Sequence, residues 1–229
     1  MSMLARQDIQ DASSTLRSVT ALRQMIVGAR RLRTRAIDAL LNVDTAQGQG
    51  SGGDPVADRF GDGVPFAALD YVAIRRCLKS VELGSSDVFV DIGCGNGRVL
   101  CLAARRKVRK CVGIEYRPAL AREAAKNAQS LRGRRSPIEI VAHDAADGDF
   151  SEGTVFWMFN PFGEQTMRRV VERIIASQKT HPRRVRLVYV RPLHAPMLRT
   201  LGFVHTGTVL LPSFNAGTAS CWTRPPDEA

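Results

Sequence analysis

The stretch DVFVDIGCGNGRVL, Asp87 to Leu100, decides how this chain is read. Val88, Phe89 and Val90 make a short apolar run of the kind that builds a buried β-strand. Gly93, Gly95 and Gly97 follow it in turns that a side chain would obstruct. Val99, Leu100, Leu102 and Ala103 then repeat at helical spacing. Strand, glycine turn and helix in that order aim free backbone N–H groups, and the positive end of the helix dipole, at whatever lies over the loop. Such a loop suits an anionic group.

Dinucleotide-binding proteins use the same device with the spacing GxGxxG, so the positions of the glycines discriminate. Here Arg98 stands where the third glycine of that fingerprint belongs, and the spacing is DxGxGxG with Asp91 at the strand end. A carboxylate there repels a pyrophosphate. It favours a ligand that carries an ammonium group beside a single carboxylate.

Outward from the loop, strands and helices alternate, which predicts a parallel sheet with helices on both faces. The patterns place strands near 87–92, 110–115, 138–142, 154–159 and 185–190, and helices near 71–81, 96–107, 118–131, 164–178 and 193–200. The helix after the fourth strand is the clearest, because Met167, Val170, Val171, Ile174 and Ile175 repeat at three and four residues while Arg168, Arg169, Glu172 and Arg173 face water. Two further β-runs, 203–211 and 218–223, flank Asn215 to Gly217 and predict a closing antiparallel hairpin. Before the sheet, residues 12–41 carry a helical apolar stripe interrupted by Arg30, Arg31, Arg33 and Arg35, and QGQGSGGDP at 47–55 has the composition of a connector. The expected organisation is therefore a basic helical appendage with its linker over 1–55 and one α/β domain over 56–229.

Composition narrows the function. The five cysteines are scattered, with no CxxC or Cys/His cluster, so no metal site and no disulfide framework is expected, and a reducing cytosol is the natural compartment. No apolar run approaches the length that spans a bilayer. The net charge of +11 invites a nucleic-acid partner. Yet the densest basic runs, Arg105 to Lys110, Arg132 to Arg135 and Arg183 to Arg186, fall at or before strand starts, on the sheet edge opposite the one where ligands bind. Nucleic acid is accordingly not the favoured partner.

With DIGCGNGR, the acid of VGIEY and the later FNPFG on the page, the chain from about residue 68 onward resembles a class I, seven-stranded, Rossmann-like S-adenosyl-L-methionine-dependent methyltransferase. Within that group it is similar to predicted bacterial methyltransferases that carry GCGxGR and FNPFG. The resemblance implies S-adenosyl-L-methionine as cofactor, S-adenosyl-L-homocysteine as product, and a cofactor site of Asp91, Gly93, Cys94, Gly95, Gly97 and Arg98. Glu115, at the end of the second strand, is placed to accept hydrogen bonds from ribose hydroxyls, and Tyr116 beside it to pack on the adenine. Asp144, after the third strand, stands where the family binds the adenine amino group. Asn160, Pro161 and Phe162 stand where amino-methylating relatives have (N/D)PP(Y/F), whose aromatic stacks on a planar acceptor; the single proline departs from that pattern and weakens a reading as adenine or glutamine-amide methylation.

Arg98 and Arg191 are further candidates to hold an acidic substrate, and Val64, Pro65, Phe66 and Tyr71 to cap the cofactor. The expected activity is methyl transfer to a nitrogen or oxygen acceptor in a protein side chain, small metabolite or RNA. A cofactor-holding module that binds RNA or a partner without turnover is the alternative, and a nicotinamide-dependent dehydrogenase is a third reading. The N-terminal stripe could instead join two copies in a homodimer.

Overall fold

The computed structural model describes residue 20 and residues 24–46, 68–212 and 217–226. The expected connector at 47–55, the proposed cap residues Val64, Pro65 and Phe66, and most of the hairpin turn lie outside the described residues. Seven strands, β1 (Val88–Ile92), β2 (Lys110–Ile114), β3 (Ile138–Val141), β4 (Val155–Phe159), β5 (Val185–Val190), β6 (Val204–Leu210) and β7 (Thr218–Arg224), form one sheet in the order β3-β2-β1-β4-β5-β7-β6. The first five are parallel, and β7 inserts antiparallel between β5 and β6. This is the expected mostly parallel sheet with a C-terminal antiparallel hairpin.

The helices are α1 (residues 24–41), α2 (Tyr71–Ser80), α3 (Arg98–Ala103), α4 (Pro118–Ser130), α5 (Glu164–Thr180) and α6 (Ala195–Thr200). Every residue of β1 is buried, because helices cover both faces of the sheet, and its side chains divide between two cores at the strand period of two. Phe89 joins Cys111, Val155, Trp157 and Val188 under α2, α3 and α4. Val88, Val90 and Ile92 join Phe156, Met158 and Leu187 under α5 and α6. Met167, Val170, Val171 and Ile174 of α5 supply the second core, as their spacing predicts.

Two features differ from the sequence expectation. Helix α3 ends at Ala103, well short of 107, because residues beyond it bond instead to the loop before β3: the N–H groups of Arg135 and Ser136 both donate to Ala104 O. The end of α1 is also built into the first core, with Leu41 buried there and Ile37 and Val43 packed against it. No helix among the described residues is long and apolar enough to cross a membrane.

Candidate functional site

After β1 the chain crosses through α3 to β2 and through α4 to β3 on one side, and then returns to place β4 on the other side of β1. That reversal opens a crevice at the carboxyl ends of β1 and β4, the place where open α/β sheets bind ligands. The glycine loop leaves β1 there, and Asn160 to Gly163 leave β4 beside it.

The loop is held by β2. The N–H groups of Gly93 and Cys94 both donate to Ile114 O, at 2.9 and 3.0 Å. Gly93 has φ +75°, and a β-carbon on it would stand 2.9 Å from Cβ of Pro161, so glycine is required both by backbone angle and by the close approach of the β4 turn. Gly113 of β2, opposite Asp91 in the ladder, makes the other necessary space. A β-carbon there would come within 2.4 Å of Leu100 Cδ1 and 2.8 Å of Cys94 Sγ. The motif reading passed over Gly113, since a lone glycine in a strand carries no signal about which distant side chain leans over it.

Two acids meet at this loop. Glu115 is buried; its Oε2 accepts from Gly95 N–H at 2.9 Å and its Oε1 from Arg117 N–H at 3.0 Å. Burial nevertheless raises its carboxyl above the usual range. Asp91 is more extreme. Its Oδ2 is fully buried and has no hydrogen-bond partner among the described residues. Burial, reinforced by the charge of Glu115, holds its carboxyl well above the ordinary carboxylate range. A buried acceptor left without a donor costs about 1–3 kcal/mol, and a cationic ligand group that donated to it would relieve that cost. The unpartnered acceptor of Asp91 therefore fits an ammonium-bearing ligand over the glycine loop. Burial likewise pushes the Cys94 thiol well up, so it is a packed thiol rather than a nucleophile.

The remaining expected residues fall into three groups. Asp144 lies next to Glu115 through the His143 N–H to Glu115 O bond, and its Oδ1 caps the short 3-10 turn Ala145–Asp147 by accepting from Ala146 N–H at 2.8 Å. Tyr116 takes the Arg117 guanidinium over its ring, 5.3 Å from the centroid. Asn160 is buried at the end of β4 with φ +39°, a left-handed conformation that asparagine tolerates better than most residues. Its Oδ1 accepts from the Tyr189 hydroxyl at 2.9 Å. Phe162 is a correction: it packs into the core beneath α5, so its ring is not a free face for a planar acceptor.

Arg98 is the larger correction. Its guanidinium is buried and bonds within the protein, to the segment that follows α1 and to Leu69. Nε donates to Thr45 Oγ1 at 2.7 Å, Nη2 to Thr45 O at 2.7 Å and Nη1 to Leu69 O at 2.9 Å. The Tyr71 ring lies 5.3 Å from the guanidinium carbon, and the Tyr71 hydroxyl donates to Asp38. Asn96 of the glycine loop also donates to Thr45 O, at 2.9 Å, and Asn127 of α4 donates to both Asp44 O and Asn96 O. The turn after α1 is thus stitched to the glycine loop. Asp38, Thr45 and Asn127 were not legible as site residues, because each is an isolated polar residue with no motif around it. Arg191 is exposed after β5 with φ +51°.

Comparison with known proteins agrees with this geometry. A sequence-family profile described as "Methyltransferase domain" matches residues 89–180. A protein-lysine N-methyltransferase of Saccharolobus islandicus is 35% identical over 99 residues, which are 42% of this chain and 60% of that relative. The chain thus spans less than two thirds of that curated relative. An RNA methyltransferase of Salinibacter ruber, solved with S-adenosyl-L-homocysteine, superposes with a TM-score of 0.50 at 22% identity, covering 71% of this chain and 96% of that one. Magnesium protoporphyrin IX methyltransferase of Synechocystis PCC 6803, solved with S-adenosylmethionine, gives 0.52 at 15% identity, covering 67% and 76%. Residues 89–180 thus match a methyltransferase domain, and the strand order with the glycine loop at the switch point gives the chain the fold of S-adenosyl-L-methionine-dependent methyltransferases.

Proposed function

We propose that the chain transfers a methyl group from S-adenosyl-L-methionine to a nitrogen or oxygen acceptor. The observation that carries this reading is the partnerless buried oxygen of Asp91 at the base of a glycine loop. When bound, S-adenosyl-L-methionine supplies a sulfonium-activated methyl whose displacement needs little more than alignment of the nucleophile and exclusion of water. Asp91 would hold the cofactor's ammonium group, the loop backbone its carboxylate, and Glu115 the ribose hydroxyls. Asp144 would meet the adenine. Asn160, oriented by Tyr189, would stand at the acceptor side with Pro161 packed on Gly93.

In this reading the turn after α1 belongs to the same working unit as the loop, since Thr45 is held by both Asn96 and Arg98. The named activity of the Saccharolobus relative supports lysine side chains as the first acceptors to try. Calorimetric titration with S-adenosyl-L-methionine, S-adenosyl-L-homocysteine and NADH is the test. Micromolar binding of the two sulfur ligands and none of NADH is expected; NADH binding alone would overturn the reading. Incubation with labelled methyl donor and, in parallel, cell protein and cell RNA would then identify the acceptor class.

A further inference from the structure

The three basic runs do not share one fate in the folded chain. The run at 183–186 is largely consumed by the protein itself. Arg183 donates to Gly153 O, Phe150 O and Ser177 Oγ, and Arg186 pairs with Asp87 and donates to Val81 O. The runs before β2 and β3 are brought together instead. Arg105 Nη1 donates to Arg132 O at 2.5 Å, and Ser136 Oγ bridges to Arg106 O and Val108 O, both at 2.8 Å. Gly133, at φ +71°, makes the close approach possible: a β-carbon on it would lie 2.4 Å from Arg105 Nη1.

The product is one surface that carries Arg106, Lys107, Arg132 and Arg135, all exposed. None of the four makes an ion pair with a carboxylate among the described residues. The nearby acids, Glu139 and Glu152, are already taken by Lys110 and Arg109. Concentrating like charges this way raises the local potential. The large exposed apolar side chains of the described residues lie on α1, near β5 and on β6; of these, Leu40 at the end of α1 borders the surface, since Arg132 N–H donates to Leu41 O at 2.8 Å. Protein interfaces draw their energy from apolar and aromatic anchors, whereas a phosphate backbone needs only a rigid array of cations. Six of the eight cationic side chains in the two runs, Arg105, Arg106, Arg109, Arg132, Arg134 and Arg135, are arginines, whose planar fork suits phosphate oxygens.

We infer that this paired-loop surface docks the phosphate backbone of RNA, on the sheet edge opposite the glycine loop. This goes beyond the methyl-transfer reading and does not depend on it. The strands separating the two edges are only about 17 Å long, so a bound strand could continue round the domain to the crevice.

The test is fluorescence polarisation with a labelled single-stranded RNA of about 20 nucleotides, titrated across salt concentrations. Three variants of the full chain are compared with the parent: Arg106→Gln/Lys107→Gln/Arg132→Gln/Arg135→Gln; Arg75→Gln/Lys79→Gln/Arg168→Gln/Lys179→Gln, which removes equal charge from α2 and α5; and Arg31→Gln/Arg35→Gln on α1. The first should weaken binding at least tenfold and flatten the salt dependence of log K by about three, from four lost phosphate contacts. The other two should change affinity less than about twofold. Equal losses in all three, loss confined to the α1 variant, no RNA binding at low salt, or tighter binding to phosphatidylserine vesicles or polyglutamate than to RNA would each overturn the inference. Thermal unfolding and S-adenosyl-L-methionine titration of each variant report folding and the cofactor site separately, so failure of the cofactor reading leaves the RNA result standing.

Discussion

The Arg98 guanidinium donates to both the hydroxyl and the carbonyl oxygen of Thr45, 53 residues earlier in the chain. A residue inside the glycine motif is therefore spent on fastening the turn after α1. Thr45 in turn donates to Asp38, whose other oxygen accepts from Thr45 N–H at 3.0 Å. The cluster is buried, so each member depends on the others for its hydrogen bonds.

Replacing Arg98 by Lys keeps the charge but cannot reproduce the three directed bonds. We expect a loss of about 2–4 kcal/mol in urea unfolding, with Thr45→Val losing about 1–3 kcal/mol. Both variants should weaken S-adenosyl-L-methionine binding, because the freed turn no longer braces Asn96. Parental affinity in a folded Arg98→Lys protein would show the clamp to be structural only.

Asp91→Asn should have opposite effects on stability and binding. The raised carboxyl of Asp91 means that the native state keeps a proton which the unfolded chain has released. Its contribution to stability is complete below the unfolded value near pH 4 and is lost as pH rises through the higher folded value. The asparagine variant, lacking that penalty, should gain on the parent as pH rises from about 4 to 8, measured by urea midpoints. Cofactor affinity should fall by roughly 100-fold, since an amide cannot answer an ammonium group with charge.

Gly113→Ala forces a methyl against Leu100 and Cys94. Overpacking of this kind costs about 1–3 kcal/mol. Because Cys94 is in the glycine loop, the same change should also weaken cofactor binding, seen by calorimetry. Unchanged affinity with lowered Tm would mean that the loop accommodates the shift on the α3 side.

Tyr189→Phe removes the donor to Asn160 Oδ1 and should cost about 1 kcal/mol in stability. Its sharper effect is expected on turnover rather than on cofactor affinity, because Asn160 lies at the proposed acceptor side. A matched loss of cofactor affinity would move Asn160 to the cofactor instead.

The sheet and its helices were legible from local pattern alone. Fully buried β1 reads as an apolar run interrupted only by Asp91 and α5 as a clean helical stripe, because each pattern records which side of one element meets the core. The placement of Asp91, Gly93 and Glu115 at the ends of β1 and β2 was legible for a related reason: backbone angle and strand-end position are local properties that the spacing of the residues encodes. The partners of Arg98 were not. Its place beside Gly97 suggested a ligand contact, but a guanidinium on a long stem takes the acceptors that the fold brings within reach, and here those are Thr45 and Leu69. Phe162 followed the same logic, drawn into the core by α5. The basic runs show it most plainly. Sequence put each at a strand start, whereas only the adjacency of β2 and β3, with Gly133 admitting Arg105, decided that two of them merge into one charged surface while the third is absorbed by carbonyl and carboxylate groups around β5.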